Sequence, residues 1–232
     1  MNDVLLKVNS LRVCYGESEV IGALSLAAVK NEVLAVLGLN GMGKTTLMKA
    51  LMGLLPARAG SIRLGDADIT RAAPFQRVGL GLAYVPQGRM VFPTLSVEEN
   101  IEAGMPRRER RIPEELYRFF PVLREMRRRR AGNLSGGQQQ QLAIARALAS
   151  HPRVLLLDEP TEGIQPSIIK ELAIQLKRIR DEKGLTIVVS EQVLSFALAV
   201  ADRVIVLSRG AVAYEGTRRE LDEPSLGRLL AI

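Results

Sequence analysis

The sequence predicts an α/β domain built around a mixed, mainly parallel sheet, with an N-terminal antiparallel β lobe and an inserted helical lobe. Three observations carry this. The apolar runs VLLLDE (154–159), TIVVSE (186–191) and RVIVLS (203–208) alternate with helical segments at 166–181 and 191–201. Such strand–helix alternation marks a parallel sheet covered by helices. The run VLAVLG (33–38) is short, apolar and partly β-branched, which suits a strand buried on both faces. It feeds a glycine-rich turn and then a helix, the same strand-to-helix order again.

Taken in order, strand-like stretches at 4–15 and 19–29 flank the turn GESE and predict the N-terminal β lobe. The first helix runs from about Lys44 to Met52 and is closed by Gly53. SIRLGDADIT (61–70) reads as a hairpin, and LAYVPQ (82–87) as a short strand ended by Pro86. The composition then changes. SVEENIEAG opens with a Ser-x-x-Glu capping box, Ser96 to Glu99. Residues 107–130 hold ten arginines against four glutamates, with IPEELYRFFPVLREM between the basic clusters. This predicts an inserted helical subdomain at about 88–150, whose last helix spans roughly Gln138 to Ser150. With no internal repeat, low-complexity tract or linker, the expectation is one domain over 1–232.

Composition narrows the function classes. Hydrophobic residues make up 47% of the chain, enough for a sizeable core. No apolar run reaches the ~18–20 residues of a membrane span. The N-terminus MNDVLLKVNS lacks a basic segment followed by an apolar one, so no signal peptide is expected. The single cysteine, Cys14, excludes an internal disulfide framework and fits a reducing cytoplasm. The net charge of +7 is compatible with nucleic acid, anionic lipid or nucleotide, and charge alone does not choose. The absence of tryptophan and the 4% aromatic content argue against base-stacking platforms.

The chemistry is concentrated in a few stretches. Gly38-Leu39-Asn40-Gly41-Met42-Gly43-Lys44-Thr45 matches G-x-x-x-x-G-K-[ST] in full, after a strand and before a helix. The glycines let backbone N–H groups turn inward around phosphates, and the helix start carrying Thr46 adds partial positive charge. Lys44 is expected to reach the β/γ-phosphates and Thr45 to ligate Mg²⁺. Asp158-Glu159 ends an apolar strand, where the carboxyl edge of a parallel sheet opens on the ligand crevice. Asp158 fits the metal-side aspartate of P-loop enzymes, and Glu159 the base that polarises the attacking water. Tyr15 and Gln87 carry no specific signal by themselves. LSGGQQQQ (134–141) is a second serine–glycine helix start able to receive an anion.

GLNGMGKTT, AYVPQ, LSGGQQQ, VLLLDEPTEG and ADRVIVLSRG, in that order, resemble the ATP-binding subunit of an ABC transporter over essentially the whole chain. LSGGQ discriminates this family from other P-loop families. The resemblance implies that Tyr15 stacks on adenine, that Gln87 senses the γ-phosphate and Mg²⁺, and that the helical lobe docks on a membrane partner. It further implies that Ser135, Gly136, Gly137 and Gln138 bind the γ-phosphate of ATP held by a second ATPase subunit in a head-to-tail dimer. Two phosphate-binding helix starts then serve two half-sites. The expected partners are that second ATPase, two permease chains and, indirectly, a periplasmic solute-binding protein, with no nucleic acid. The expected location is peripheral, at the cytoplasmic face of the inner membrane. The competing classes are a soluble ABC ATPase acting on DNA or ribosomes, which usually has a long coiled-coil insertion or fused domains, and a non-hydrolysing partner, against which Lys44, Asp158 and Glu159 argue.

The family usually carries a γ-phosphate histidine after a strand like TIVVSE; counted back from Ala201-Asp202-Arg203, that position is Gln192. The only histidine, His151, lies before the Asp158 strand and is read as structural or exposed. A glutamine donates an amide hydrogen bond but does not become cationic near neutral pH. Glu191-Gln192 and PTEGI resemble one of the two ATPases of branched-chain amino acid and urea/amide uptake systems. PTEGIQPSIIKEL with SGGQQQQLAIARALAS looks most like the urea branch. The departure at 192 implies pairing with a different ATPase that keeps the histidine.

Overall fold

In the computed structural model, which describes residues 3–221, two sheets share the strands. β1 (Val4–Tyr15) and β2 (Ser18–Val29) form an antiparallel hairpin across a two-residue turn. β4 (Ala59–Leu64) adds to β1, and the short β5 (Ala67–Asp68) closes a four-stranded antiparallel sheet ordered β2-β1-β4-β5. The second sheet contains β3 (Val33–Leu37), β6 (Leu82–Val85), β7 (Val154–Asp158), β8 (Thr186–Glu191), β9 (Arg203–Ser208) and β10 (Ala211–Thr217). Its order is β10-β9-β3-β8-β7-β6, parallel throughout except for the antiparallel edge strand β10. The α/β fold class with an antiparallel β lobe is therefore the one present.

The alternation of strand side chains explains how the layers stack. On β3, Leu34 and Val36 pack with Leu47 and Met48 of helix α1 (Lys44–Met52) and with Leu6, Leu11 and Ile21 of the antiparallel sheet. Val33, Ala35 and Leu37 face the other way, into a core shared with α6 (Gly136–Leu148), α7 (Pro166–Lys183) and α8 (Leu194–Val200). The parallel strands are thus buried on both faces, which is why VLAVL and VLLLD read as unbroken apolar runs.

Between β6 and α6 the chain forms the short helices α3 (Val97–Glu102), α4 (Glu114–Phe119) and α5 (Pro121–Glu125). Leu116, Phe119, Phe120 and Leu123 anchor them in the core, while Arg107, Arg108, Arg110, Arg111 and Arg127 to Arg130 are exposed. The capping box at Ser96–Glu99 is formed: Ser96 Oγ accepts from Glu99 N–H and Glu99 Oε2 accepts from Ser96 N–H.

Two elements differ from the sequence expectation in their starts. α6 begins at Gly136 rather than 138, because Ser135 caps it. α8 begins at Leu194 rather than 191, because the Glu191 carboxylate accepts the N–H groups of Gln192 and Val193 and holds them outside the helix. Two elements were not foreseen. α2 (Pro74–Gly79) spans six residues, too few to show a helical period, and β10 is an edge strand without a buried face. α2 has one consequence for α1: its Arg77, 2% exposed, donates to the carbonyls of Ala50 and Leu51 at the end of α1 and to those of Thr70 and Ala72. No described helix is long and apolar enough to cross a membrane.

Candidate functional site

The loop 38–43 joins β3 to α1, and its glycines are needed where they stand. Gly41 and Gly43 have φ of 82° and 98°, in the left-handed region. A Cβ on Gly38 would stand 2.9 Å from the Leu207 carbonyl oxygen, and one on Gly43 would stand 2.9 Å from Ile21 Cδ1. Lys44, the first residue of α1, is 3% exposed. Its Nζ donates to the carbonyls of Gly38 at 2.7 Å and Leu39 at 3.0 Å, and lies 3.0 Å from Glu159 Oε1.

Asp158 ends β7 beside this helix start. Its Oδ1 accepts from Thr45 Oγ1 at 3.2 Å and from Ser190 Oγ at 2.6 Å, and its Oδ2 accepts from Tyr84 Oη at 3.0 Å. Burial pushes the Asp158 carboxyl above its ordinary value, and the three hydroxyl donors oppose that. Burial and the Asp158 charge together push the Tyr84 phenol up, so it stays a donor. Glu159 follows with φ of 47°, a left-handed backbone for a residue with a Cβ. Its N–H donates to Ser190 O at 3.0 Å, and its Oε2 accepts from Gln87 Nε2 at 3.3 Å.

These groups meet at a cleft of about 410 Å³ lined by Tyr15, Asn40, Gly43, Lys44, Gln87 and Glu159, together with Val20, Gly41, Thr45 and Thr46. Tyr15, at the end of β1, is 47% exposed and forms one wall. The rest of the expected set stands apart from the lining. Leu39 is exposed, and Met42 turns its sulfur toward the Arg209 N–H. Ser135, Gly136, Gly137 and Gln138 sit at the start of α6, outside this lining. There Ser135 Oγ accepts from Gln138 N–H at 3.4 Å and Gln138 Oε1 accepts from Ser135 N–H at 3.0 Å. Packing is also close at the glycines: a Cβ on Gly137 would stand 2.8 Å from Ile168 Cγ2, and one on Gly136 would press on the Arg89 guanidinium, 3.1 Å from Nη1. Gln192 is exposed beyond β8. His151 is on the surface, its Nε2 2.8 Å from Glu109 Oε1.

Sequence reasoning missed Tyr84, Ser190 and Glu191. Tyr84 and Ser190 bond Asp158 across neighbouring parallel strands, a partnership set by sheet order that no local pattern announces. Chemically, the site offers a backbone cradle, a buried lysine, hydroxyl and carboxylate oxygens of Thr45 and Asp158 close together, and a second carboxylate on Glu159. Hard oxygen donors of this kind suit Mg²⁺, which takes one or two protein oxygens and completes its shell with phosphate and water.

A family model described as "ABC transporter" matches residues 21–162. The "Probable branched-chain amino acid transport ATP-binding protein LivF" of Archaeoglobus fulgidus is 38% identical over 224 residues, covering 94% of each chain. The "High-affinity branched-chain amino acid transport ATP-binding protein BraG" of Pseudomonas aeruginosa is 36% identical, covering 92% of this chain and 93% of its own. Among solved structures, an "ATP binding subunit of ABC transporter" superposes with a TM-score of 0.83 at 27% identity, over 98% of this chain and 100% of its own. A nucleotide-free ATP-binding cassette from an ABC transporter gives a TM-score of 0.84 at 24% identity, over 99% of this chain and 96% of its own.

Proposed function

This chain belongs to the ABC transporter family of ATPases, and from that premise we propose that it binds Mg·ATP in the cleft beside Lys44 and hydrolyses it in a head-to-tail dimer to energise solute import through two permease chains. One observation carries the reading: the phosphate loop, Lys44, Gln87 and Glu159 share a single cleft, and Asp158 is bonded to Thr45 of its lining. The backbone of 38–43 holds the phosphates, and Lys44 exchanges its carbonyl partners for β/γ-phosphate oxygens. Thr45 and Asp158, with Gln87 nearby, are the residues that would hold Mg²⁺, which when bound supplies charge neutralisation for the phosphates. Glu159 accepts a proton from the attacking water, Gln87 orients Glu159, and Tyr15 stacks on adenine. Ser135, Gly136, Gly137 and Gln138 bind the γ-phosphate of the partner's ATP, a role supported by their position outside the cis cleft. Gln192 contacts the γ-phosphate of the ATP held by its own subunit, as a neutral donor.

The domain reading is one nucleotide-binding domain over 1–232 with a helical subdomain at about 88–150; Met1, Asn2 and residues 222–232 lie outside the described residues. Docking of a permease is supported by an open groove of about 550 Å³ at the helical lobe, where Leu54, Val78, Met90 and Phe92 are exposed apolar residues. The chain then acts peripherally at the cytoplasmic face of the membrane, served by a periplasmic binding protein. For the solute, whole-length relatives named for branched-chain amino acid transport support that class. Relatives named for polyamine or 2-aminoethylphosphonate import are similarly identical at 34–38%, but this chain covers only 59–67% of their length. The stretch PTEGIQPSIIKEL favours urea or short amides as the second reading. The Gln192 departure favours a heterodimer with an ATPase that keeps the histidine. Co-purification of the assembled complex tests this: two different ATPases on the permease are expected, and recovery of this ATPase alone refutes the heterodimer. Solute binding by the associated periplasmic protein separates amino acid from amide.

A further inference from the structure

The segment Thr161–Gly163, two residues beyond Glu159, is held from two sides by residues that the reading above leaves without a role. On one side is Glu191, which is 0% exposed. Its Oε1 accepts from Thr161 N–H at 3.1 Å and from Thr161 Oγ1 at 2.6 Å. Its Oε2 accepts from the backbone N–H of Gln192 at 3.0 Å and of Val193 at 3.1 Å. Four donors from two loops therefore converge on one buried carboxylate, and among the described residues no cation pairs with it. On the other side is Arg89, two residues after Gln87, with φ of 67°. Its Nη2 donates to Glu162 O at 2.7 Å and reaches Gly163 O at 3.4 Å. The same guanidinium lies against Gly136, where a Cβ would stand 3.1 Å from Nη1 and 3.2 Å from Gly163 O. Arg146 of α6 then donates to Met90 O at 2.8 Å, tying the signature helix to the Arg89 turn.

We propose that Glu191 and Arg89 are positioning residues that clamp Thr161–Gly163 between the loops of Gln87 and Gln192, so that both loops, Glu159 and the Ser135 helix start are aligned together. The inference rests on the ATPase reading of this site. A buried carboxylate is costly unless hydrogen bonds satisfy it, and here four do. An amide satisfies the site only in part. One orientation of Glu191→Gln turns its –NH₂ onto the N–H groups of Gln192 and Val193 and releases that loop, and the other lets Thr161 Oγ1 accept but strands the Thr161 N–H. Arg89 holds its side differently: Nη2 reaches the carbonyls of Glu162 and Gly163 while Nη1 lies against the start of α6, two places that the single ammonium of a lysine does not cover together. Neither side chain lines the nucleotide cleft, so neither is placed to bind ATP in the same subunit.

The full-length protein is assayed for ATP hydrolysis as wild type, Arg89→Ala, Arg89→Lys, Thr161→Val and Glu191→Gln. Arg89 is only half-buried, so its variants test the clamp even where the buried change impairs folding. Loss of one arm is expected to lower kcat by about tenfold, the kinetic equivalent of one hydrogen bond, with KM for ATP within about twofold. Arg89→Lys is expected to fall between wild type and Arg89→Ala. Variants with wild-type kcat overturn the clamp, as does a raised KM or lowered Tm with kcat unchanged, the pattern of a merely structural contact. Absence of hydrolysis by the wild type would instead overturn the ATPase reading beneath it.

Discussion

Replacing Glu159 by glutamine separates binding from chemistry, and the structure sets the size of each effect. The carboxylate lies 3.0 Å from Lys44 Nζ through Oε1 and accepts from Gln87 at 3.3 Å through Oε2. Glutamine keeps the volume and one acceptor oxygen but has no basic site for a proton. A positioned general base contributes about 10²–10⁴ in rate, so the barrier is expected to rise by about 3–5 kcal/mol. Binding should move the other way. At an effective dielectric near ~20, a carboxylate about 5 Å from a phosphate charge is repelled by ~3 kcal/mol, and the variant removes that repulsion. Stability should change little for a buried ion pair. Lys44 keeps the Gly38 and Leu39 carbonyls, so the loss is nearer ~1 kcal/mol than the ~3–5 kcal/mol of a stranded charge. Single-turnover phosphate release gives the chemical step, and size-exclusion chromatography with Mg·ATP shows whether a dimer persists. Hydrolysis at the wild-type rate refutes the base assignment; a variant that neither hydrolyses nor binds ATP refutes the separation of roles.

Three further outcomes are expected. Lys44→Ala should abolish ATP binding or turnover, and equal affinity and hydrolysis by isothermal titration and phosphate release would contradict its phosphate role. Gln192→His should leave ATP binding intact and raise single-turnover hydrolysis by up to about tenfold, since a charge-assisted bond is roughly twice as strong as a neutral one; an unchanged chemical step makes position 192 structural, and a large fall makes the glutamine a tuned catalytic group. Asp158→Asn should raise the Tm at neutral pH while turnover is lost. The sign follows from burial: the Asp158 carboxyl is raised from its unfolded value of 3.8, so the folded chain binds the extra proton. Its contribution to stability therefore falls as pH rises through that window, and the deficit is complete above the folded value. A Tm gain that is the same at pH 4 and pH 7 would count against this origin.

The chemistry-bearing stretches were legible because each is local. The spacing from Gly38 to Thr45 encodes a turn and a helix start by itself, and Asp158-Glu159 closes a strand whose five residues are all buried. Strand order is not local. That β7 lies between β6 and β8, bringing Tyr84 and Ser190 onto Asp158, follows from crossover packing and not from any run of residues. Short elements were also invisible. β10 alternates exposed and half-buried residues because it pairs on one edge only, with β9, and α2 is anchored by Arg77, an arginine that composition alone places on the surface. Glu191 looked like the end of a strand, and its four donors, three backbone N–H groups and the Thr161 hydroxyl, are brought together only by the fold.

The left-handed backbone at Glu159 sets folding fitness against working fitness at a single codon. A residue with a Cβ at φ of 47° costs of order 1 kcal/mol, and a glycine there would relax it. Selection for thermal tolerance alone would therefore drift toward glycine or asparagine at 159, and each step in that direction would remove the carboxylate that faces Lys44. A laboratory stabilisation campaign on this chain has to hold position 159 fixed and look for its gains elsewhere.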